Sequence, residues 1–345
     1  MIAVGIVLLL ALVYLVLRIT NPGAPQYAYF DEVVPAEGDV LVVAHRGGVN
    51  LWPENTIYGL RRAVELGADV LEIDVRGTAD DRLVLLHDET VDRTTNGTGA
   101  LRELTLTEVQ ALDAGYEWPD EIVTREEEMV GSAYEPPTAD ATPPPITSGA
   151  LGDGGALADG AAAGAGPTAE HPYRGRGLRI PTLEEAFAAF PNVPMVIELK
   201  ETDPDLIDRF VEILRDADRP DRTLLATFYP ETMAAFRERL PEYPTSAVQP
   251  EIQPFVIMDK IGLGELYRPP APAFQVPEYA VGLHVVTPSL TRTARRLNLH
   301  IEVWSAGSWD GPIVAKPDME RLLNAGVDGI ITDRPDLLLE LLGRR

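Results

Sequence analysis

The sequence contains no cysteine, and only five of its 345 residues are histidine. The first absence excludes disulfides, thiolate nucleophiles and cysteine-bound zinc together. Catalysis or metal binding would therefore depend on oxygen and imidazole donors, and the position of each histidine becomes informative.

Basic residues are also scarce, since 29 lysines and arginines stand against 54 aspartates and glutamates and give a formal net charge of −25. A nucleic-acid partner is not expected, because phosphate backbones are bound by basic surfaces. The acidic residues are spread along the chain, which is typical of a solvated surface, although a few of them can serve as metal ligands.

Charge is absent from one long run near the start of the chain. Residues 2–17 (IAVGIVLLLALVYLVL) carry no charged side chain, and Arg18 ends the run. At ~1.5 Å per residue the run covers about 24 Å of a ~30 Å hydrocarbon core. We predict a single-pass transmembrane anchor over residues 1–20, in preference to a cleaved signal segment or a buried helix. Arg18 on its C-terminal flank favours a cytoplasmic location for the domain that follows.

The rest of the chain has the pattern of one α/β domain. Residues 21–38 contain proline and glycine and are predicted to be a linker. From residue 39 to residue 345, runs rich in valine, isoleucine and leucine alternate with helix-period segments, as in a parallel sheet covered on both faces. About eight such units favour a (β/α)₈ TIM barrel. A Gly-x-Gly-x-x-Gly loop is missing after every strand-like run, which argues against a dinucleotide-binding fold.

Residues 117–178 interrupt this alternation. Proline, glycine, alanine and serine dominate the stretch, and few of its side chains could stabilise a packed core. Because the alternation resumes afterwards in the same style, we predict a low-complexity insertion within the barrel rather than a domain boundary.

Unusual polar residues recur where the predicted strands end. They are His45, Arg46, Glu72, Asp74, His87, Glu198, Lys200 and Trp304. In a barrel the carboxyl ends of the strands form the active-site mouth, so these side chains are expected to meet there. Each has a structural explanation when taken alone, such as a buried histidine or a lysine that neutralises a glutamate. Their recurrence at several strand ends favours a common site.

Three of these residues are carboxylates in positions that would point inward. Glu72 and Asp74 are two residues apart and therefore lie on the same face of a strand, as do Glu198 and Lys200. Inward carboxylates need a compensating cation. Glu72, Asp74 and Glu198 therefore predict one hard divalent cation, Mg²⁺ or Ca²⁺.

The remaining residues suit chemistry on a phosphoester. Of the two histidines, His45 and His87, one can take a proton from the attacking oxygen while the other gives one to the leaving oxygen. Arg46 and Lys200 supply positive charge for phosphate oxygens.

With these residues in this order, the chain resembles a known family, the glycerophosphodiester phosphodiesterases, which have a TIM-barrel fold. The resemblance covers the chain from about residue 40 to its end, apart from the insertion. It is carried by AHRGGVNLWPENT (44–56), GADVLEIDV (67–75), LVLLHDETVDRTTNGTG (83–99), IPTLEEAF (180–187), VIELK (196–200) and GVDGIITDRPDLL (326–338).

The resemblance implies a role for each matching residue. His45 and His87 resemble the family's acid–base pair, and Glu72, Asp74 and Glu198 its metal ligands. Arg46 and Lys200 resemble residues that contact the substrate phosphate, Trp304 an aromatic at the pocket rim, and Glu54 a supporting residue behind the metal or His45. The implied reaction converts a glycerophosphodiester to sn-glycerol 3-phosphate and an alcohol, through attack of the glycerol 2-hydroxyl and a cyclic phosphate that water opens.

Two departures limit what the resemblance transfers. The insertion lies where the family can carry a segment that caps the substrate, so the alcohol cannot be inferred. The sequence after Trp304 is also longer than is usual there. Two alternatives stay open: a lysophospholipase D that acts on lysophospholipids at the membrane, and a catalytically silent barrel that serves as a binding module.

Overall fold

The apolar runs that follow one another along the chain form a single curled sheet. The computed structural model describes residues 2–34, 39–119, 166–168, 170–307 and 312–345. The strands are β1 Leu41–Ala44, β2 Val70–Gly77, β3 Leu83–Leu85, β4 Met195–Leu199, β5 Thr223–Ala226, β6 Ala273–Pro277, β7 Tyr279–Ala280, β8 Leu283–His284, β9 His300–Ser305 and β10 Gly329–Thr332.

Seven of these strands run parallel in the order β5-β4-β2-β1-β10-β9-β6, whereas β7 and β8 form a separate antiparallel hairpin. Residues 245–249 form two parallel bridges rather than a further strand: Thr245 pairs with Leu225 of β5, and Ser246 pairs with Ala273 of β6. These bridges join the two ends of the sheet. The fold is TIM-barrel-like, as predicted, and its strands are buried on both faces because helices cover the outside.

Most of the helices lie in the connections between strands. They are α1 Ile2–Ile19, α2 Ala28–Val33, α3 Ile57–Leu66, α4 Leu106–Gln110, α5 Leu183–Ala189, α6 Pro204–Ala217, α7 Pro230–Arg239, α8 Gln249–Lys260, α9 Pro288–Arg296, α10 Lys316–Ala325 and α11 Pro335–Leu341. Local sequence sets several ends: the Thr182 hydroxyl and the Glu185 carboxylate form a capping box at the start of α5, and Gly67 ends α3 in the left-handed region with φ 107°.

One predicted strand does not belong to the parallel series. Residues 82–88, which His87 is predicted to end, have the apolar pattern of a strand like the others, but β3 pairs antiparallel with β2 and lies off the path of the sheet. The turn at residues 78–82 is too short for a crossover helix, so the chain can only return alongside β2. This return places Leu86 beside Asp74, whose carbonyl accepts the Leu86 backbone N–H at 3.2 Å.

The segment predicted to be a linker, residues 21–38, contains α2. Tyr29 of α2 is fully buried among side chains that fill the barrel interior, including Leu41, Val43 and Ile331. The helix therefore closes the end of the barrel at which the strands begin. Residues 35–38 of this segment lie outside the described residues.

The structure does not support the predicted transmembrane anchor at residues 1–20. Helix α1 ends at Ile19, and none of the helices in the described ranges has the length and apolar character that a membrane span requires. At ~1.5 Å per residue, the 18 residues of α1 measure about 27 Å. Arg18 lies within its last turn, and its guanidinium pairs with the Glu265 carboxylate.

Most of the predicted insertion, residues 120–165, lies outside the described residues. The flanks that are described pack against the barrel. The Trp118 indole N–H donates to the Val49 carbonyl at 2.9 Å, and its ring meets that of Tyr173 edge-on at 5.1 Å.

Candidate active site

A tight turn after β1 presents His45 and Arg46. Residues His45–Gly47 form a single 3₁₀ turn, in which Arg46 adopts left-handed backbone angles with φ 49°. A Cβ at Gly47 would lie 3.0 Å from the backbone of α3, so glycine is required for this close approach. The unusual backbone of Arg46 is held at both ends: its N–H donates to Glu72 Oε2 at 3.0 Å, and its carbonyl accepts the Asn55 N–H at 2.9 Å.

The three predicted metal ligands meet at the mouth of the barrel. Glu72 and Asp74 alternate along β2 and share its inward face, and Asp74 stands opposite Glu198 in the β2–β4 register. One carboxylate oxygen from each of the three residues lies within 4.8 Å of the others. This is an all-oxygen donor set of the kind that Mg²⁺ and Ca²⁺ prefer.

Two basic side chains neutralise part of the negative charge of the three carboxylates. Lys200 Nζ lies 3.2 Å from Asp74 Oδ1 and 2.9 Å from Glu198 Oε1, and Arg46 Nε lies 3.0 Å from Asp74 Oδ2. Burial acts to raise the pKa of Asp74, but the charges of Lys200 and Arg46 outweigh it and hold that pKa well below its usual range.

Glu72 is the carboxylate whose charge is least compensated. Burial and the neighbouring Asp74 raise its pKa from 4.5 to about 7. A raised pKa at a carboxylate cluster means that positive charge is missing when all three groups are ionised. A divalent cation would supply that charge, so the residues present fit the metal that the sequence predicts.

Each of the two predicted catalytic histidines is oriented by a carboxylate. His45 Nδ1 lies 2.5 Å from Asp333 Oδ1, and its Nε2 lies 4.0 Å from Glu72 Oε2. His87 Nδ1 lies 2.6 Å from Asp88 Oδ1. When Nδ1 donates to the carboxylate, Nε2 is the nitrogen that can exchange a proton with a substrate.

Asp333 also shifts the proton affinity of His45. Burial acts to lower the pKa of His45, but the Asp333 carboxylate outweighs it, and the pKa is raised above its usual value. Asp333 is itself buried, directly after β10.

Glu54 bridges two arginines of the site. The resemblance implies that it supports the metal or His45; its carboxylate lies 3.1 Å from Arg46 Nη1 and 2.7 Å from Arg93 Nη1, and Arg46 in turn contacts the predicted metal ligand Asp74. Burial acts to raise its pKa, but the two guanidinium groups lower that pKa to about 2. Arg93 also donates from Nε to Asp88 Oδ2 at 2.6 Å, so Glu54 is linked to His87 through Arg93 and Asp88.

Trp304 is a partly buried residue near the carboxyl end of β9. Its ring meets that of Phe228 edge-on with centroids 6.4 Å apart, and Lys200 Nζ lies 5.9 Å from the centroid of Phe228. Phe228 as a whole residue is 62% exposed. The two rings therefore form an aromatic wall beside the carboxylates.

Sequence reasoning missed several residues of this site. They are Asn55, Asp88, Arg93, Phe228 and Asp333. Asp333 and Asp88 carried a signal, because both are acids next to predicted strand ends or a site histidine. Arg93 and Phe228 carried none, because their proximity depends on how the loops fold.

The sequence profile of the glycerophosphoryl diester phosphodiesterase family matches residues 45–337. The chain belongs to this family. This confirms the resemblance described above and makes the chain a phosphodiesterase of the hydrolase class. The matched residues begin at His45 and include every predicted site residue.

Relatives match over most of the family domain. A glycerophosphodiester phosphodiesterase from Caldanaerobacter subterraneus subsp. tengcongensis is 27% identical over 314 residues, which is 88% of this chain and 97% of the relative. The crystal structure of a glycerophosphodiester phosphodiesterase from Agrobacterium tumefaciens is 22% identical in sequence and has a TM-score of 0.56. The match covers 87% of this chain and 99% of the other.

A phosphodiesterase from Oleispira antarctica has been solved in complex with the product sn-glycerol-3-phosphate. It is 19% identical with a TM-score of 0.59, over 92% of this chain and 100% of the other. At these identities the two solved structures establish the fold.

Proposed function

We propose that this family member hydrolyses glycerophosphodiesters to sn-glycerol 3-phosphate and an alcohol at the mouth described above. The observation that carries the proposal is the convergence of three carboxylates, Lys200, Arg46 and a carboxylate-bound histidine at one end of the barrel. The product named for the Oleispira antarctica relative supports the same reaction.

His45 and His87 are proposed to move the protons. Since Asp333 and Asp88 bind the two Nδ1 atoms, the two Nε2 atoms are available, one to accept a proton from the attacking hydroxyl and the other to donate one to the leaving oxygen. Rigid carboxylate partners keep both rings oriented and so lower the cost of reaching the reactive arrangement.

Glu72, Asp74 and Glu198 are proposed to hold one divalent cation, Mg²⁺ or Ca²⁺. When bound, the cation offsets the negative charge that builds up on the phosphate oxygens during the reaction. Lys200 is placed to contact the same oxygens, because its Nζ already lies between Asp74 and Glu198. Arg46 adds charge from the buried side, where it holds Asp74.

Trp304 is proposed to contact the organic part of the substrate, together with Phe228. An aromatic wall beside a charged phosphate site suits the apolar edge of glycerol or of the alcohol. The alternative of a catalytically silent barrel is disfavoured, because the residues expected to act are brought together at one mouth. Membership of the glycerophosphoryl diester phosphodiesterase family also disfavours the alternative of a lysophospholipase D, although this evidence is less direct than the geometry of the site. The cytoplasmic location stays a prediction.

A panel of substrates tests the proposal. Glycerophosphocholine, glycerophosphoethanolamine and lysophosphatidylcholine would be incubated with the purified chain after chelation and re-addition of Mg²⁺ or Ca²⁺, and products identified by ³¹P NMR. We expect sn-glycerol 3-phosphate from the two diesters with at least one of the ions. Absence of this product with every diester and both ions would overturn the proposal.

A further inference from the structure

Helix α1 is attached to the end of the barrel opposite the active-site mouth. The Asn21 side-chain amide donates to the carbonyls of Glu265 and Tyr267 at 2.9 and 2.6 Å, and the Ala24 N–H donates to the Leu297 carbonyl at 2.6 Å. These carbonyls lie in the segments that lead into β6 and β9, where the strands begin. The catalytic residues lie where the strands end, so α1 and the mouth occupy opposite ends.

A large apolar surface is exposed at this attachment. Twelve large apolar side chains of α1, from Val4 to Ile19, are 45–73% exposed. A helix that is apolar on all sides is stable in water only when something covers it. The barrel continues this surface, because Ile257 and Ile261 at the end of α8 are 59% and 64% exposed, and Leu263 follows them.

Basic side chains surround this exposed apolar surface of α1 and α8. Lys260, Arg268 and Arg292 are exposed, and none of them forms an ion pair with another residue in the described ranges. Two acids lie among them: Glu265 is neutralised by Arg18 and Arg296, and Asp259 is buried and accepts a hydrogen bond from the Thr293 hydroxyl at 2.7 Å. A shallow cavity lined by Tyr14, Gly262 and Arg292 connects α1 with this surface. We define the basal patch as Ile257, Lys260, Ile261, Leu263, Arg268 and Arg292.

We propose that the basal patch and α1 dock together on an anionic lipid surface, with the active-site mouth facing solution. Exposed apolar side chains beside unpaired cations fit lipid with anionic headgroups. The formal net charge of −25 makes most of the remaining surface repel such lipid, so the basic patch would orient the molecule. The docking needs contact with one lipid leaflet and no crossing of the bilayer.

This orientation selects the substrate. A mouth that faces away from lipid receives glycerophosphodiesters dissolved in water, whereas a lysophospholipid in the same bilayer lies on the opposite side of the barrel. This consequence rests on the proposed function, but the docking itself does not.

The absence of native cysteine allows a direct test of the orientation. Ile261→Cys in the basal patch and Val281→Cys at the tip of the β7–β8 hairpin would each be labelled with an environment-sensitive fluorophore in the full chain. Val281 is the control, because it is an apolar and fully exposed residue on the mouth side, after β6. Vesicles would contain equal parts of phosphatidylcholine and phosphatidylglycerol, or phosphatidylcholine alone.

We expect the emission at position 261 to shift to the blue and to rise on anionic vesicles, and the emission at position 281 to stay unchanged. Binding to the anionic vesicles should be at least about tenfold tighter than to the neutral ones, because several unpaired basic residues approach the headgroups. A shift at position 281, or no shift at position 261, would overturn the proposal. Because the readout is fluorescence, the result is independent of whether the chain hydrolyses any diester.

Discussion

At the scale of single residues, Asp333 influences the reaction through His45. The carboxylate holds Nδ1 at 2.5 Å and raises the pKa of the ring, because it stabilises the imidazolium form. Asp333 therefore acts as a positioning residue, and its loss should change how the rate depends on pH as well as the rate itself.

For Asp333→Asn we expect the pKa of His45 to fall, since the amide no longer stabilises the positive charge. The limb of the pH–rate profile that reports His45 should move to lower pH, and kcat should drop about 100-fold as the ring loses its orientation. Profiles would be measured with the same saturating cation for both proteins. Asp208→Asn, a change at an exposed carboxylate on α6, should leave the profile where it is. A limb that moves to higher pH would contradict this role.

Ionisation of Glu72 should lower the stability of the metal-free protein but strengthen its binding of a divalent cation. Its pKa is raised from 4.5 to about 7, so the folded protein binds more protons than the unfolded chain between these values. The stability from this group is present below pH 4.5 and is lost as the pH rises through about 7. Ionised Glu72 therefore destabilises the metal-free protein at pH 8.

For Glu72→Gln we expect the free energy of unfolding of the chelated protein at pH 8 to increase by about 2 kcal/mol. Calorimetric titration should show at least about tenfold weaker binding of Mg²⁺ or Ca²⁺, because a charged ligand is lost. Glu201→Gln changes a carboxylate that follows β4 but lies outside the cluster, and it should leave the cation affinity unchanged. Wild-type cation affinity in Glu72→Gln would count against the assigned ligand set.

At the scale of elements, the antiparallel return of β3 explains the position of His87. The sequence predicted that a histidine ends this strand, but it could not show that the strand pairs only with β2. Periodicity reports burial and carries no information on the direction of pairing. The conclusion about His87 was unaffected, because a short hairpin brings its end back to the level of Asp74.

Other parts of the site could be predicted from the sequence to different degrees. Glu72, Asp74 and Glu198 could be grouped because strand ends of a barrel converge and i, i+2 residues share a face. The partners of Glu54 could not be predicted, since Arg93 approaches it from a loop 39 residues further on. Helix α2 was missed because six residues give too little periodicity to be recognised.

Tyr29 tests whether α2 is part of the barrel or only a linker. The side chain is fully buried and lies against the apolar interior of the sheet. Tyr29→Ala should lower the free energy of unfolding by about 3 kcal/mol, the cost of removing a buried aromatic ring. Gln26→Ala, at an exposed position just before the helix, should change it by less than about 0.5 kcal/mol. Equal denaturation midpoints for wild type and Tyr29→Ala would show that α2 does not contribute to the core.

At the scale of the whole molecule, the two ends of the barrel have different tasks. The carboxyl ends of the strands bring acids, histidines and two cations together, and the other end carries α2, α1 and the basal patch. The acidic excess noted in the sequence is therefore not uniform, because basic residues that form no ion pair within the described ranges lie beside the exposed apolar surface of α1. Neither feature changes the fold, and both bear on where the substrate comes from.

The central claim is that His45 and His87 carry out the hydrolysis of a glycerophosphodiester. The most direct test measures the release of sn-glycerol 3-phosphate from glycerophosphocholine by the wild type and by His45→Ala, His87→Ala and His284→Ala. His284 is the matched control, since it lies on the mouth-side hairpin and stacks on Tyr279. We expect each of the first two substitutions to lower the rate by about 10³-fold, with an unchanged circular dichroism spectrum, and His284→Ala to retain the wild-type rate. Wild-type turnover in either His45→Ala or His87→Ala would contradict the account.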